Sequence, residues 1–271
     1  MIAIKKQALG KTLLHDILNS HQKGERRDFL KDSERYIKEQ NLNFEVKYLA
    51  KDYPQKPTLI AINHYIRPIL IRKSLFTTVD SMMTSAIITV SLSKIFKRKT
   101  TWIVKDSLFK KILFYDLIPR KAQMAAIYDY DLIAVSQNYP FGAKSAWLKK
   151  LEDGFNIAFY PEGKTSSVFK KPQNGFSKIL GYLVQEKVDL QILPVSIFFK
   201  RGVFKAVISQ PVLIINKDVK ATVKTIITNI ASNLPKNLQD IELEKPLIDN
   251  SKSQVHKQPA GDQKLKPAEL L

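Results

Sequence analysis

His64 follows Asn63 at the end of the apolar stretch Leu59-Ile60-Ala61-Ile62, and Glu162 stands in a turn, Tyr160-Pro161-Glu162-Gly163, that ends a second apolar stretch. Histidine titrates near neutrality and so suits a general base, provided that a partner fixes its tautomer and stabilises the cation formed in the reaction. In α/β sheets, ligands collect outside the carboxyl ends of the strands. An imidazole at one strand end and a carboxylate at another therefore read as two halves of one site. The other three of the four histidines are placed less well: His15 and His21 sit in a polar N-terminal region, and His256 lies in a polar tail.

The elements that must position these two residues are legible as short apolar runs. Strands are expected at Phe44 to Leu49, Thr58 to Ile62, Thr101 to Val104, Leu132 to Val135, Phe155 to Tyr160, Ile192 to Phe199 and Val207 to Ile215. Amphipathic segments of helical length lie between several of them: Asp80 to Lys94, Gly142 to Leu151, Phe176 to Gln185 and Val219 to Leu234. This alternation predicts an α/β fold with a mainly parallel central sheet covered by helices. Residues 1–41 read as a helical pair broken at Gly24, an N-terminal appendage; 42–247 form the α/β domain. The segment 248–271 is polar and is expected to be a disordered tail.

Composition narrows the function. The 271 residues carry 44 Lys and Arg against 25 Asp and Glu, a net charge of +19, which favours anionic partners such as lipid, phosphorylated substrate or nucleic acid. The absence of cysteine removes disulfides, thiolate metal sites and thiol nucleophiles, and suits a reducing, cytoplasmic setting. No histidine and acid ligands stand at a metal-binding spacing, so no metal is implied, and the nine glycines form no nucleotide-binding loop. No apolar run approaches the roughly 18–20 residues needed to cross a bilayer. Leu9, Leu13 and Ile17, flanked by Leu14 and Leu18, form a helical apolar stripe beside Lys5, Lys6 and Lys11. Two readings of that stripe are open: a helix lying on a membrane, or one packed on its own domain.

Four blocks occur in order, each beside an apolar run: Asn63-His64, Ile118-Pro119-Arg120, Tyr160-Pro161-Glu162-Gly163-Lys164-Thr165-Ser166 and Ile192-Leu193-Pro194-Val195. Over roughly residues 44–200 this resembles the glycerolipid acyltransferase family, which includes the lysophosphatidic acid acyltransferases. The family's first block is Asn-His, four residues, then Asp, whereas the fifth residue after His64 is Ile69. Asp80, followed by a helical apolar pattern, is the next acid. The resemblance implies that Arg67 to Val79 is largely an insertion and that Asp80 orients His64; an N-cap role is the alternative for Asp80. By the same resemblance Arg120 contacts the phosphate of the acceptor, with Lys105 a weaker candidate, and Glu162, Gly163, Lys164, Thr165 and Ser166 bind substrate. Lys164-Thr165 replaces the family's Thr-Arg, which bears on the identity of the acceptor.

The reaction so implied is acyl transfer from acyl-CoA or acyl carrier protein, a substrate rather than a bound cofactor, to a hydroxyl of a glycerol-phosphate lipid such as lysophosphatidic acid. His64 would take the hydroxyl proton. Expected partners are a phospholipid precursor, an anionic membrane surface and, with a carrier-bound donor, acyl carrier protein, with the protein held peripherally at the membrane. Two rival readings remain: a lipid-binding relative that has lost catalysis, and a basic nucleic-acid-binding protein. For the latter no sequence-reading motif is present, so no specific nucleic acid is expected.

Overall fold

In a computed structural model, the structure describes residues 11–65, 74–105, 127, 129–135, 140–163, 166–214 and 218–239. Eight strands form one mostly parallel sheet: β1 (Phe44–Tyr48), β2 (Thr58–Ile62), β3 (Thr100–Lys105), β4 (Ile133–Val135), β5 (Asn156–Phe159), β6 (Gln191–Lys200), β7 (Val203–Ile208) and β8 (Val212–Leu213). Their order is β1-β7-β6-β2-β5-β3-β4, with β8 beside β6. The block β6-β2-β5-β3-β4 is wholly parallel, while β7 and β8 run antiparallel to β6. The carboxyl ends of β2 and β5, which carry the two sequence blocks, are therefore adjacent and point the same way.

The helices are α1 (Lys11–Gln22), α2 (Phe29–Glu39), α3 (Ser74–Ser93), α4 (Pro140–Glu152), α5 (Asn174–Gln185) and α6 (Val219–Ser232). Strand register separates them into two layers. Trp102 lies level with Ala158 and donates through Nε1 to Thr89 of α3 at 2.9 Å. Phe159, one residue on and hence on the opposite face, packs on Trp147 of α4 and Phe176 of α5. Ser196, on that second face, donates to the carbonyl of Ile230 in α6. Covering both faces explains why β2 and β5 read as mostly apolar runs without alternation: every residue of each is buried. At the edge, β1 instead alternates between half-buried and exposed positions.

Two elements differ from the sequence reading. The run Val207 to Ile215 is not one strand: β7 ends at Ile208, and β8 is a separate pair of residues beyond Ser209-Gln210-Pro211, since proline lacks the donor a continuous ladder needs. β7 begins instead straight after a two-residue hairpin at Arg201-Gly202, where both φ angles are positive (52° and 81°), as the right-handed strand twist favours. Helix α3 starts at Ser74, so residues 74–79 of the expected insertion are its first turns. Asp80 is accordingly inside the helix and is not its N-cap.

The helical pair at the N-terminus is tied to the rest. Arg27 makes two parallel bonds to the carboxylate of Asp32, at 2.7 and 2.8 Å, and donates to Ser20. Tyr130 donates to the same carboxylate at 2.7 Å, and His21 meets the buried Asp129 at 3.0 Å. Leu13 and Ile17 are each only 4% exposed, in a cluster with Tyr36, Ala86 and Tyr130. Of the two readings of the apolar stripe, these two positions follow the packed one; Leu9 lies outside the described residues. Replacing Ile17 with Ala is expected to cost about 2–4 kcal/mol, read as a lower urea midpoint. An unchanged midpoint would contradict the docking of α1.

Candidate functional site

The ladder between β2 and β6 runs from Thr58 opposite Gln191 to Ile62 opposite Val195. Asn63 continues it with its side chain: Nδ2 donates to the carbonyl of Ile197 at 2.8 Å, and Oδ1 accepts from the Ile197 N–H at 2.7 Å. The buried backbone of β6 stays satisfied while the main chain of β2 is released. The chain then folds tightly, the Tyr65 N–H donating to the carbonyl of Asn63. His64 projects on the α3 side of the sheet, as expected two residues beyond Ile62.

The second block closes on the first. Tyr160-Pro161-Glu162-Gly163 is a turn in which the Gly163 N–H donates to the Tyr160 carbonyl at 3.0 Å, with proline at its second position. Gly163 has φ of +62°, and an added Cβ would lie 3.2 Å from the Gln173 side chain, so a larger residue is disfavoured twice over. The turn drives Glu162 inward, where it is 4% exposed. One carboxylate oxygen accepts from the His64 N–H at 2.7 Å and the other from the Lys170 N–H at 3.2 Å. The Ser166 N–H in turn donates to the His64 carbonyl at 3.1 Å. His64 is thus held through its backbone on both sides.

The imidazole stacks on Tyr160, with ring centroids 3.9 Å apart and planes 8° from parallel. Tyr160 is fixed by Thr84 of α3, its hydroxyl 3.2 Å away, and leans on Trp102. His64 Nε2 is 3.1 Å from Oγ of Ser81, also on α3, while Nδ1 is buried with no hydrogen-bond partner among the described residues. Burial lowers the pKa of His64 from 6.5 to about 4, so the ring is neutral at physiological pH. For Glu162, burial outweighs the two amide hydrogen bonds and the field of Lys170, raising its pKa from 4.5 to about 7.

Of the residues singled out from sequence, His64, Glu162, Gly163 and Ser166 come together. Glu162, expected to touch substrate, has both oxygens on backbone amides, and Ser166 Oγ accepts from the Val168 N–H. Arg120, Lys164 and Thr165 lie outside the described residues, as do Arg67, Arg72, Lys73 and the tail 248–271. The side chains of Asp80 and Lys105 are likewise outside the described part. The residue of α3 that meets the ring is Ser81, next to Asp80. Sequence reasoning gave no role to Ser81 or to the ring of Tyr160. No local signal separates Ser81, Thr84 and Thr89, which meet rings from the sheet, from Ser85, Ser91 and Ser93 of the same helix, which donate to its own carbonyls.

No known protein-family model matches the sequence, and no curated protein is similar enough to count as a match. Among the described residues no three His, Asp or Glu side chains gather as a metal site, and no helix is long and apolar enough to cross a membrane.

The two perturbed groups act on stability with opposite signs. Folded Glu162 keeps its proton where the unfolded chain has lost it, so its contribution falls as pH rises from about 4.5 to about 7. Unfolded His64 takes up a proton that the folded ring refuses, so its contribution rises with pH between about 4 and 6.5. Relative to wild type, His64→Gln is expected to tilt the urea midpoint downward with rising pH, and Glu162→Gln to tilt it upward. Parallel profiles for all three proteins would contradict this.

Proposed function

We propose that the chain transfers an acyl group from a thioester, acyl-CoA or acyl carrier protein, to a hydroxyl of a glycerol-phosphate lipid. The observation that carries the reading is the Glu162 carboxylate on the His64 backbone amide, which joins two of the four sequence blocks on which the acyltransferase resemblance rests. His64 is neutral and half-buried at the carboxyl end of β2, in the protonation state a general base requires. Proton removal from the acceptor hydroxyl would leave the oxygen free to attack the thioester carbonyl. Exposed Lys170, beside Glu162, adds a cation near the turn, and a net charge of +19 suits peripheral contact with anionic lipid.

A second reading, a lipid-binding relative without turnover, is favoured by one feature. Nδ1 of His64 has no carboxylate partner among the described residues, so an imidazolium would form in a buried place with little to stabilise it. The test is an assay of the purified chain with a long-chain acyl thioester and lysophosphatidic acid. His64→Ala is expected to lower kcat/KM by about 10²–10⁴-fold. Turnover at the wild-type rate in that variant would refute the first reading. Tight binding to anionic vesicles with no transfer from either donor class would establish the second.

A further inference from the structure

We infer that Ser81 is a nucleophile of this site, paired with His64 as a serine–histidine dyad that carries the acyl group covalently. The inference rests on the acyl-transfer reading above and changes its route. Ser81 Oγ and His64 Nε2 are 3.1 Å apart, within the reach that defines an activated nucleophile and its base. The two residues come from different layers, one on α3 and one at the end of β2, and both are positioned against Tyr160. On the sheet side, Asn63 and Glu162 hold the His64 backbone, and the Tyr160 ring sets the plane of the imidazole. On the helix side, Thr84, one turn beyond Ser81, bonds that same Tyr160, which fixes the height of α3 against the ring.

The surroundings suit the chemistry. Ser81 reaches the His64 ring across the gap between helix and sheet. Ser81 and His64 are both half-buried, which limits the water that reaches the pair. Burial keeps the ring uncharged, and in the tautomer protonated at Nδ1 the Nε2 lone pair faces the serine hydroxyl. Stacking on Tyr160 fixes the ring plane, which is the orienting share of what an acid supplies in other nucleophile–base pairs.

In the first step Ser81 Oγ attacks the thioester carbonyl. A C–O bond forms, the C–S bond breaks, and the serine proton passes through Nε2 to the departing thiolate, which leaves as the thiol. In the second step the acceptor hydroxyl attacks the acyl-serine ester. Its proton passes through Nε2 to Ser81 Oγ as the ester C–O bond breaks, which regenerates both residues.

The experiment is intact-mass analysis of the full chain, quenched rapidly after mixing with acyl-CoA or with p-nitrophenyl acetate. One acyl group is expected on the peptide containing Ser81, absent in Ser81→Ala and at least tenfold less in His64→Gln. Ser81→Cys provides a test needing no donor, because the chain has no cysteine of its own. With circular dichroism matching wild type, its alkylation by iodoacetamide at pH 7 is expected to be at least tenfold faster than in Ser81→Cys/His64→Gln. Equal alkylation rates would overturn the dyad. Lipid acylation that is lost in His64→Ala but kept in Ser81→Ala, with no acyl on Ser81, would overturn the nucleophile and leave the proposed function standing. Acyl-Ser81 in a protein that acylates no lipid acceptor would uphold the dyad and reject that acceptor.

Discussion

A single buried carboxylate ties the two halves of the site together. Glu162 comes from the turn after β5, yet its oxygens bind the amide that follows β2 and the amide of Lys170 on the way to α5. Three chain segments therefore converge on one side chain. The cost is the desolvation of an acid, visible in a proton that leaves only near neutrality. Aiming both oxygens at main-chain donors makes the arrangement independent of flexible side chains.

Around that clamp, polarity is distributed by layer. The face of the sheet toward α4, α5 and α6 is packed largely by aromatic and aliphatic groups such as Trp147, Phe159 and Phe176. The opposite face meets a helix whose inner stripe carries hydroxyls, at Ser81, Thr84 and Thr89, matched to His64, Tyr160 and Trp102. Directional contacts of this kind fix the rotation and height of a helix, where apolar contacts alone allow sliding. Aliphatic side chains further along α3, Ile87, Ile88 and Leu92, supply the burial. Contact with the His64 ring and helix docking are thus achieved by the same residues.

The sequence disclosed the parts of this plan that depend on period and composition. β2 matches its expected bounds, Thr58–Ile62, because a strand covered on both faces has no competing pattern. The meeting of His64 with Glu162 was legible from two strand ends in a parallel sheet. What was hidden depends on long-range partners. Glu162 looks like a substrate ligand until the amides of His64 and Lys170 are seen to occupy it. The hairpin at Arg201-Gly202 escaped because arginine is an uncommon residue at positive φ, and the apolar run across Pro211 concealed a strand end. The start of α3 was displaced by reading residues 74–79 through the spacing of a resembling family rather than through their own helical character. Ser81 was overlooked because nothing local marks which residue of an apolar helix will face a ring from another layer.

Asn63 donates with one end of its amide and accepts with the other, both to the same buried residue of β6. Spontaneous deamidation, the common ageing lesion of asparagine, would leave a carboxylate with nothing to donate, pressed against the carbonyl of Ile197. Held in the sheet, the amide is kept from the contorted geometry that cyclisation onto the next peptide nitrogen demands. Damage at that position would therefore accumulate while the chain is unfolded, and a polypeptide slow to fold would acquire a lesion that its finished form resists.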